Sequence, residues 1–442
     1  MALSVEIFWV GLYLTMLLLL GLRRRPARKK NKDSREEFYL ASKDLGPLET
    51  SATIGATVVG GSATVVTAAL VYSYGPYGLV ADLAGAAGLL VLGLFLSRKV
   101  WSSRAHSLPN MLERSFGRGL GRVSSLLLIM TEVGWIALLI KATEGVLIAL
   151  NFYPEQALLV STIIFILYTS IGGQRVVALT DIFQISLVFL ALSLAAGRSV
   201  LTHLPLRGTA TMPPSLFITL LFTMFLSHII GPDIYSKIFS SRDPKSASIG
   251  ALGGGIVKLL VALLVFVMVS GSAAHVKNGE GVLPELGAAL LPSPLIGLFL
   301  AALLAIMMSS ADSCLISAST MLEWDILQKE LPQWTRTLMV CILGIAGYFI
   351  TLSAGSIISL LMLSYGLFTS SLVLPILFGL ILPPGKLDRK MALASALVGS
   401  SSFILLTILK ALGRLSTEPL LITLPVALVP LLISLRKNSN LK

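Results

Sequence analysis

The chain has 442 residues, of which 55% are apolar and 13% charged, with a mean hydropathy of +0.87. Soluble globular domains carry about 25% charged residues, so this composition, gathered into repeated apolar runs, excludes an ordinary soluble protein and places most of the chain in a bilayer. The net charge of +12 does not point to nucleic acid, because the basic residues lie in short loops with no soluble module to display them.

In chain order, thirteen apolar segments are expected to cross the membrane or nearly so, at 4–22, 48–74, 77–97, 119–150, 156–172, 178–200, 213–236, 249–272, 294–326, 335–354, 357–382, 390–412 and 417–435. The runs are continuous rather than alternating, which predicts helices and not a barrel, hence an all-α integral membrane protein. The first segment carries its charges after the apolar run and shows no small-residue cleavage site, so it reads as a retained helix. Of the 34 Lys and Arg, only Arg198, Arg207, Lys277 and Arg414 fall in loops on one side, and Lys141, Lys258 and Lys410 fall within helices. The positive-inside rule then puts the N-terminus outside and the C-terminus in the cytoplasm. The basic run Arg23–Lys30 becomes a cytoplasmic flank able to touch anionic lipid.

Several familiar chemistries are missing. Cys314 and Cys341 both lie within predicted helices, which makes a structural disulfide unexpected. His106, His203, His228 and His275 are scattered without metal-ligand spacing. No phosphate-loop motif is present to power transport with ATP.

Two segments are interrupted at their middles. SATIGATVVGGSATVVTAALVYSYG (Ser51–Gly75) carries Gly55, Gly60 and Gly61, and SLFITLLFTMFLSHIIGPDIYSK (Ser215–Lys237) is broken at Gly231-Pro232. Such breaks release backbone carbonyls and amides that can hold an ion or polar solute, although glycine and serine also serve close helix packing. The two breaks lie five segments apart, and interruptions at matching places in two halves point to a transporter built from inverted repeats.

The segment containing MMSSADSCLISAST (Met307–Thr320) is polar where hydrocarbon is expected. At about 100° per residue, Ser309, Thr320, Ser313, Ile306, Ser317 and Ser310 share one arc, and Asp312 and Glu323 form an acidic edge beside it. A stripe of hydroxyls suits a hard cation such as Na⁺, while the plainer alternative is hydroxyls bonded back to the preceding turn. Lys141 and Glu144 sit three apart and could pair, or Lys141 could bind a substrate carboxylate.

Four stretches together resemble the sodium:solute symporter family. They are EEFYLASKDLGPL (Glu36–Leu48), YTSIGGQRVVALTDIFQISLVFLAL (Tyr168–Leu192), GPDIYSKIFSSRDPKSASIGA (Gly231–Ala251) and LPELGAALLPSPLIGLFLAALLAIMMSSADS (Leu283–Ser313). The resemblance implies a LeuT-like core of two five-helix inverted repeats, spanning residues 48–200 and 213–382. An N-terminal helix and basic linker (1–47) would precede it, and two helices and a short tail (390–442) would follow. It also implies Na⁺-coupled solute import by alternating access, with Na⁺ as the coupling ion and no enzymatic activity. Carried onto this sequence, it implies Na⁺ held by carbonyls of Ala56, Val59 and Ile306 and hydroxyls of Ser309 and Ser310. Asp181 and Ser313 would lie on the ion's exit path, where Asp181 could alternatively cap a helix beside Thr180. The solute is expected against Gly60, Gly61, Ser62 and Thr64, with Lys141, His228 and Lys258 as further candidates. The resemblance places Lys258 where sugar-carrying members have a substrate-contacting lysine, but Ser62 and Ala63 stand where those members have acidic and amide side chains. The expected solute is a small carboxylate such as an amino acid or vitamin-like acid, with a Na⁺/sugar symporter as an alternative.

Proton coupling through Lys258, Asp312 or Asp181 is the alternative within this fold, and an intramembrane hydrolase using Ser62 and His228 is the alternative outside it. The expected partners are a small-molecule substrate and membrane lipid, with no nucleic acid, for a monomer or weak homo-oligomer.

Overall fold

A computed structural model describes residues 2–23, 34–201, 210–271, 281–383 and 385–439. The basic run beyond Arg23 therefore lies outside the described residues, as do His203, Arg207, His275 and Lys277. The described residues are helical throughout, with only an isolated bridge between Leu45 and Ser241.

Among the described residues, ten helices are long and apolar enough to cross a membrane, and two shorter apolar helices, Val5–Leu17 and Pro154–Ser170, accompany them. The difference from the thirteen expected segments has local causes. The helix Pro47–Val59 has 13 residues before the break at Gly60. At 1.5 Å per residue that is about 20 Å, short of a bilayer's hydrocarbon core of about 30 Å. Beyond the break, a wide π-turn at Ser62–Val66 leads into Thr67–Tyr74, and a tight turn at Gly75–Leu79 passes the chain into Val80–Val91. The stretch Ser62–Ser102 thus counts as one span although the chain turns within it.

Pro154–Leu201 is hydrogen-bonded as one 48-residue helix, but Gly173 sits at φ 63° and ψ 177° in its middle. A straight helix of that length would extend about 72 Å, more than twice the hydrocarbon thickness. The left-handed residue divides it into two spans, and a Cβ there would come within 2.9 Å of the Phe38 ring. The expected boundary between segments at 172 and 178 falls at this kink. Farther on, Gly231 is extended (φ −55°, ψ 131°) between the helices Pro214–Ile230 and Pro232–Ser240.

The helix Ser293–Thr320 forms the centre of the molecule. Every residue from Phe299 to Thr320 is buried, as expected of a helix surrounded on all sides by others. It packs against Pro154–Leu201, Arg118–Ala149 and Ala2–Arg23. Its serines consequently face protein rather than lipid.

Candidate functional site

A helix that stops leaves its last carbonyls without intrahelical donors. Pro47–Val59 stops at Gly60 (φ 5°, ψ −141°), and side chains from other helices meet the freed oxygens. Ser310 Oγ lies 3.1 Å from the carbonyl of Ala56 and 3.0 Å from that of Thr57. The carbonyl of Val58 accepts from Lys258 Nζ at 3.1 Å. A Cβ at Gly60 would collide with Ser310 Oγ, so the serine helix touches bare backbone here.

The hydroxyl seam continues along both helices. Thr57 Oγ1 and Ser313 Oγ are 2.9 Å apart, and Thr57 also donates to the carbonyl of Thr53 at 2.7 Å. Ser309 donates to Asp181 Oδ1 at 2.5 Å, and Thr53 donates to Asp181 Oδ2. Asp181 is fully buried inside its helix, which removes the helix-cap alternative. Hydroxyls and peptide carbonyls are hard, neutral oxygen donors, and one buried carboxylate adjoins them. That donor set fits a monovalent hard cation.

The other expected site residues separate into distinct surroundings. Gly60, Gly61 and Ser62 line a small cavity of about 30 Å³ together with Asp233, Trp135 and Tyr365. Thr64 turns back onto the carbonyl of Gly60. Lys258 is fully buried, paired with Asp82 Oδ1 at 2.8 Å, and Asp82 also accepts from Thr67. His228 uses Nδ1 on the carbonyl of Met224 at 2.8 Å, and its ring stacks parallel to Tyr365 with centroids 6.3 Å apart. It does not line the cavity, and Ser62 donates instead to the carbonyl of Val58 at 3.2 Å. The two residues of the hydrolase alternative share no described hydrogen bond. Lys141 takes the first of its two expected roles: it pairs with Glu144 at 2.6 Å and lines a different pocket beside Pro284 and Ile357. Two charges three residues apart on one helix satisfy each other before a solute arrives.

The acidic edge of the serine helix also finds partners. Asp312 Oδ1 accepts from Thr169, while Oδ2 has no partner among the described residues. Glu323 binds Arg336 through Oε1 and Oε2 at 3.1 and 2.9 Å and accepts from the Tyr39 hydroxyl at 2.6 Å. Burial pushes the Tyr39 phenol well above its ordinary value, and donation to Glu323 adds to this, so the hydroxyl keeps its proton. Thr320 bonds back to the carbonyl of Ile316 at 2.7 Å, the plainer role that a mid-helix hydroxyl can take.

Sequence reasoning missed Thr53 and Thr57, which complete the seam, and Asp82, Glu132, Trp135 and Asp233. The signal for Asp82 and Glu132 was available. Asp82 stands in LVADLAG and Glu132 in LIMTEVGW, and a carboxyl within an apolar run is a functional candidate by default.

The chain matches the family described as Sodium:solute symporter family over residues 38–212 and 209–399. It is 25% identical over 404 residues to the high-affinity choline transporter 1 of Drosophila melanogaster, covering 84% of this chain and 65% of that protein. It thus spans just under two thirds of the fly protein's length. Against the sodium/pantothenate symporter of Escherichia coli it is 24% identical over 473 residues, covering 96% and 95%. The solved structure of a Na⁺-coupled sialic acid symporter, substrate-bound and outward-open, superposes with a TM-score of 0.79 at 16% identity, covering 98% of this chain and 97% of that one. That likeness is one of fold, and the architecture is LeuT-like.

Proposed function

The chain belongs to the sodium:solute symporter family, and from that premise we propose that it imports a small polar organic solute together with Na⁺ by alternating access. The observation that carries this reading is Ser310 Oγ lying against the carbonyls of Ala56 and Thr57 at the end of the broken helix. Na⁺ is held by the carbonyls of Ala56, Val59 and Ile306 and the hydroxyls of Ser309 and Ser310. In the present arrangement the Ser310 proton fills the place between hydroxyl and carbonyl. A cation entering there would take the same oxygens as ligands and tie the broken helix to the serine helix. A ligand that binds one arrangement of two helices better than another shifts the protein toward it, by as much as its affinity differs between the two. Solute against Gly60, Gly61 and Ser62 would add to the same shift.

Ion release follows the seam past Ser313 to Asp181. The two repeats span residues 48–200 and 213–382, flanked by residues 1–47 and 390–442. The protein is multi-pass, and its place is the cell membrane with the N-terminus outside and the C-terminus in the cytoplasm, as a monomer or weak homo-oligomer in lipid. A sugar is disfavoured because Lys258 is consumed by Asp82.

Reconstituted vesicles test the coupling. Solute accumulation is expected to follow an imposed inward Na⁺ gradient, and Ser309→Ala with Ser310→Ala should raise the Na⁺ concentration for half-maximal uptake. Accumulation indifferent to Na⁺ and driven by a pH gradient alone would replace Na⁺ with a proton on Asp181.

A further inference from the structure

The cavity beside the broken helix has a one-sided charge. Asp233 is a lining residue, half-buried, at the first turn of Pro232–Ser240, with Oδ1 accepting from the amide of Ile234 at 2.8 Å. No Lys or Arg lines the same cavity. None of the nearby cations reaches that lining. Lys258 is held by Asp82 at 2.8 Å, and Lys141 by Glu144 at 2.6 Å in another pocket. Lys237 is one turn beyond Asp233, but it turns away to Gln174 Oε1 at 3.1 Å. A solute carboxylate would find no positive partner and one negative neighbour, at a cost that burial makes large.

Two further observations point toward a ligand of the opposite sign. Trp135 and Tyr365 form one wall, with ring centroids 4.8 Å apart. Trp135 is 5% exposed, and its Nε1 has no hydrogen-bond partner among the described residues. One turn earlier on the same helix, outside the cavity's lining, Glu132 is fully buried against Ser317 and Cys314, and neither carboxylate oxygen has a well-formed hydrogen bond among the described residues. Aromatic faces with a nearby carboxylate are the arrangement that attracts an organic ammonium, through the ring quadrupole and direct ion pairing.

We propose that the transported solute carries an ammonium group, which Asp233 holds as counter-charge against the Trp135 and Tyr365 rings. This rests on the symport reading above and names the substrate class of the same site, in place of the carboxylate that sequence suggested through Lys141. The cavity of about 30 Å³ has room for water but not for an organic ammonium, so the solute enters only as the surrounding helices part.

The test is a titration of the purified full chain by calorimetry. The probes are choline, ethanolamine, the neutral choline isostere 3,3-dimethyl-1-butanol and pantothenate, each in sodium and in potassium buffer. At least one ammonium compound is expected to bind in preference to pantothenate and to the isostere. Asp233→Asn should weaken that binding about tenfold or more, which corresponds to about 1.4 kcal/mol. Asp233→Glu, which keeps the charge, should fall between the two and shows that loss in the Asn variant is not misfolding. The proposal is overturned if neither ammonium compound binds, if pantothenate binds more tightly than both, or if Asp233→Asn leaves ammonium affinity unchanged. Ammonium binding of equal strength in potassium would uphold the substrate class while removing Na⁺ as its coupling ion, so the two readings fail separately.

Discussion

Where the helix Pro244–Ser270 meets Pro47–Val59 the contact is made by glycine, and where Ser293–Thr320 meets the other side of that same helix it is made by hydroxyls. Added Cβ atoms at Gly250 and Gly254 would collide with Thr50 and Ile54, and one at Gly88 would strike the carbonyl of Phe225. Backbones pressed this closely gain dispersion contacts that have no substitute once parted. The hydroxyl seam of Thr57, Ser309, Ser310 and Ser313 is held differently, by hydrogen bonds whose partners a cation or water can replace. The glycine contacts press residues 47–74, 80–102, 214–240 and 244–270 closely together, whereas the seam against Ser293–Thr320 is bridged by exchangeable hydrogen bonds.

The comparison can be broken most severely at the Glu323 end of the serine helix, which neither contact supplies. Arg336→Ala would leave Glu323 buried without its cation, and loss of one partner from a buried pair costs about 3–5 kcal/mol. Thermal unfolding should show it as the largest drop of the series, with little folded protein recovered. Gly254→Val comes next, because extra methyl groups in a filled contact cost about 1–3 kcal/mol. Its melting temperature should fall in sodium and potassium alike, since that contact holds no ion.

Thr57→Val with Ser313→Ala sharpens the contrast. Removing both members of a buried hydrogen bond typically changes stability by about 1 kcal/mol. The same pair should nevertheless raise the Na⁺ concentration that protects the protein against heat, a readout that Gly254→Val leaves alone. Smallest of all, Lys43→Ala removes an ion pair with Glu36 whose members are 41% and 37% exposed. Exposed pairs contribute about 0–1 kcal/mol, and unfolding should register almost no change.

Much of this division was legible in the sequence. GG at 60–61 and GP at 231–232 announced the two breaks, and the helical spacing of Ser309, Ser310 and Ser313 placed them on a common arc. Spacing along one helix cannot say which helix lies opposite, so Thr53 and Thr57 escaped notice as ordinary mid-helix threonines. Charge pairing was illegible for the same reason. Lys258 and Asp82 are 176 positions apart and meet only because two helices cross. The pairing of Lys141 with Glu144 was readable as one of two roles because both partners sit on one helix. Asp233 lay hidden as the residue after a helix-breaking proline, where an acid usually serves only the helix end.

The π-turn at Ser62–Val66 has a consequence for rotational phase. A helix turns about 100° per residue, so one residue inserted into a turn rotates everything beyond it by that angle. Thr67 emerges from the turn pointing at Asp82 while also reaching back to the carbonyl of Ser62 at 2.8 Å. The wide turn is therefore a gear tooth between two sets of contacts, the cavity at Gly60–Ser62 and the lysine–aspartate pair beyond Thr67. Deleting Val65 would restore an ordinary helical turn and every downstream covalent bond, yet point Thr67 away from its carboxylate.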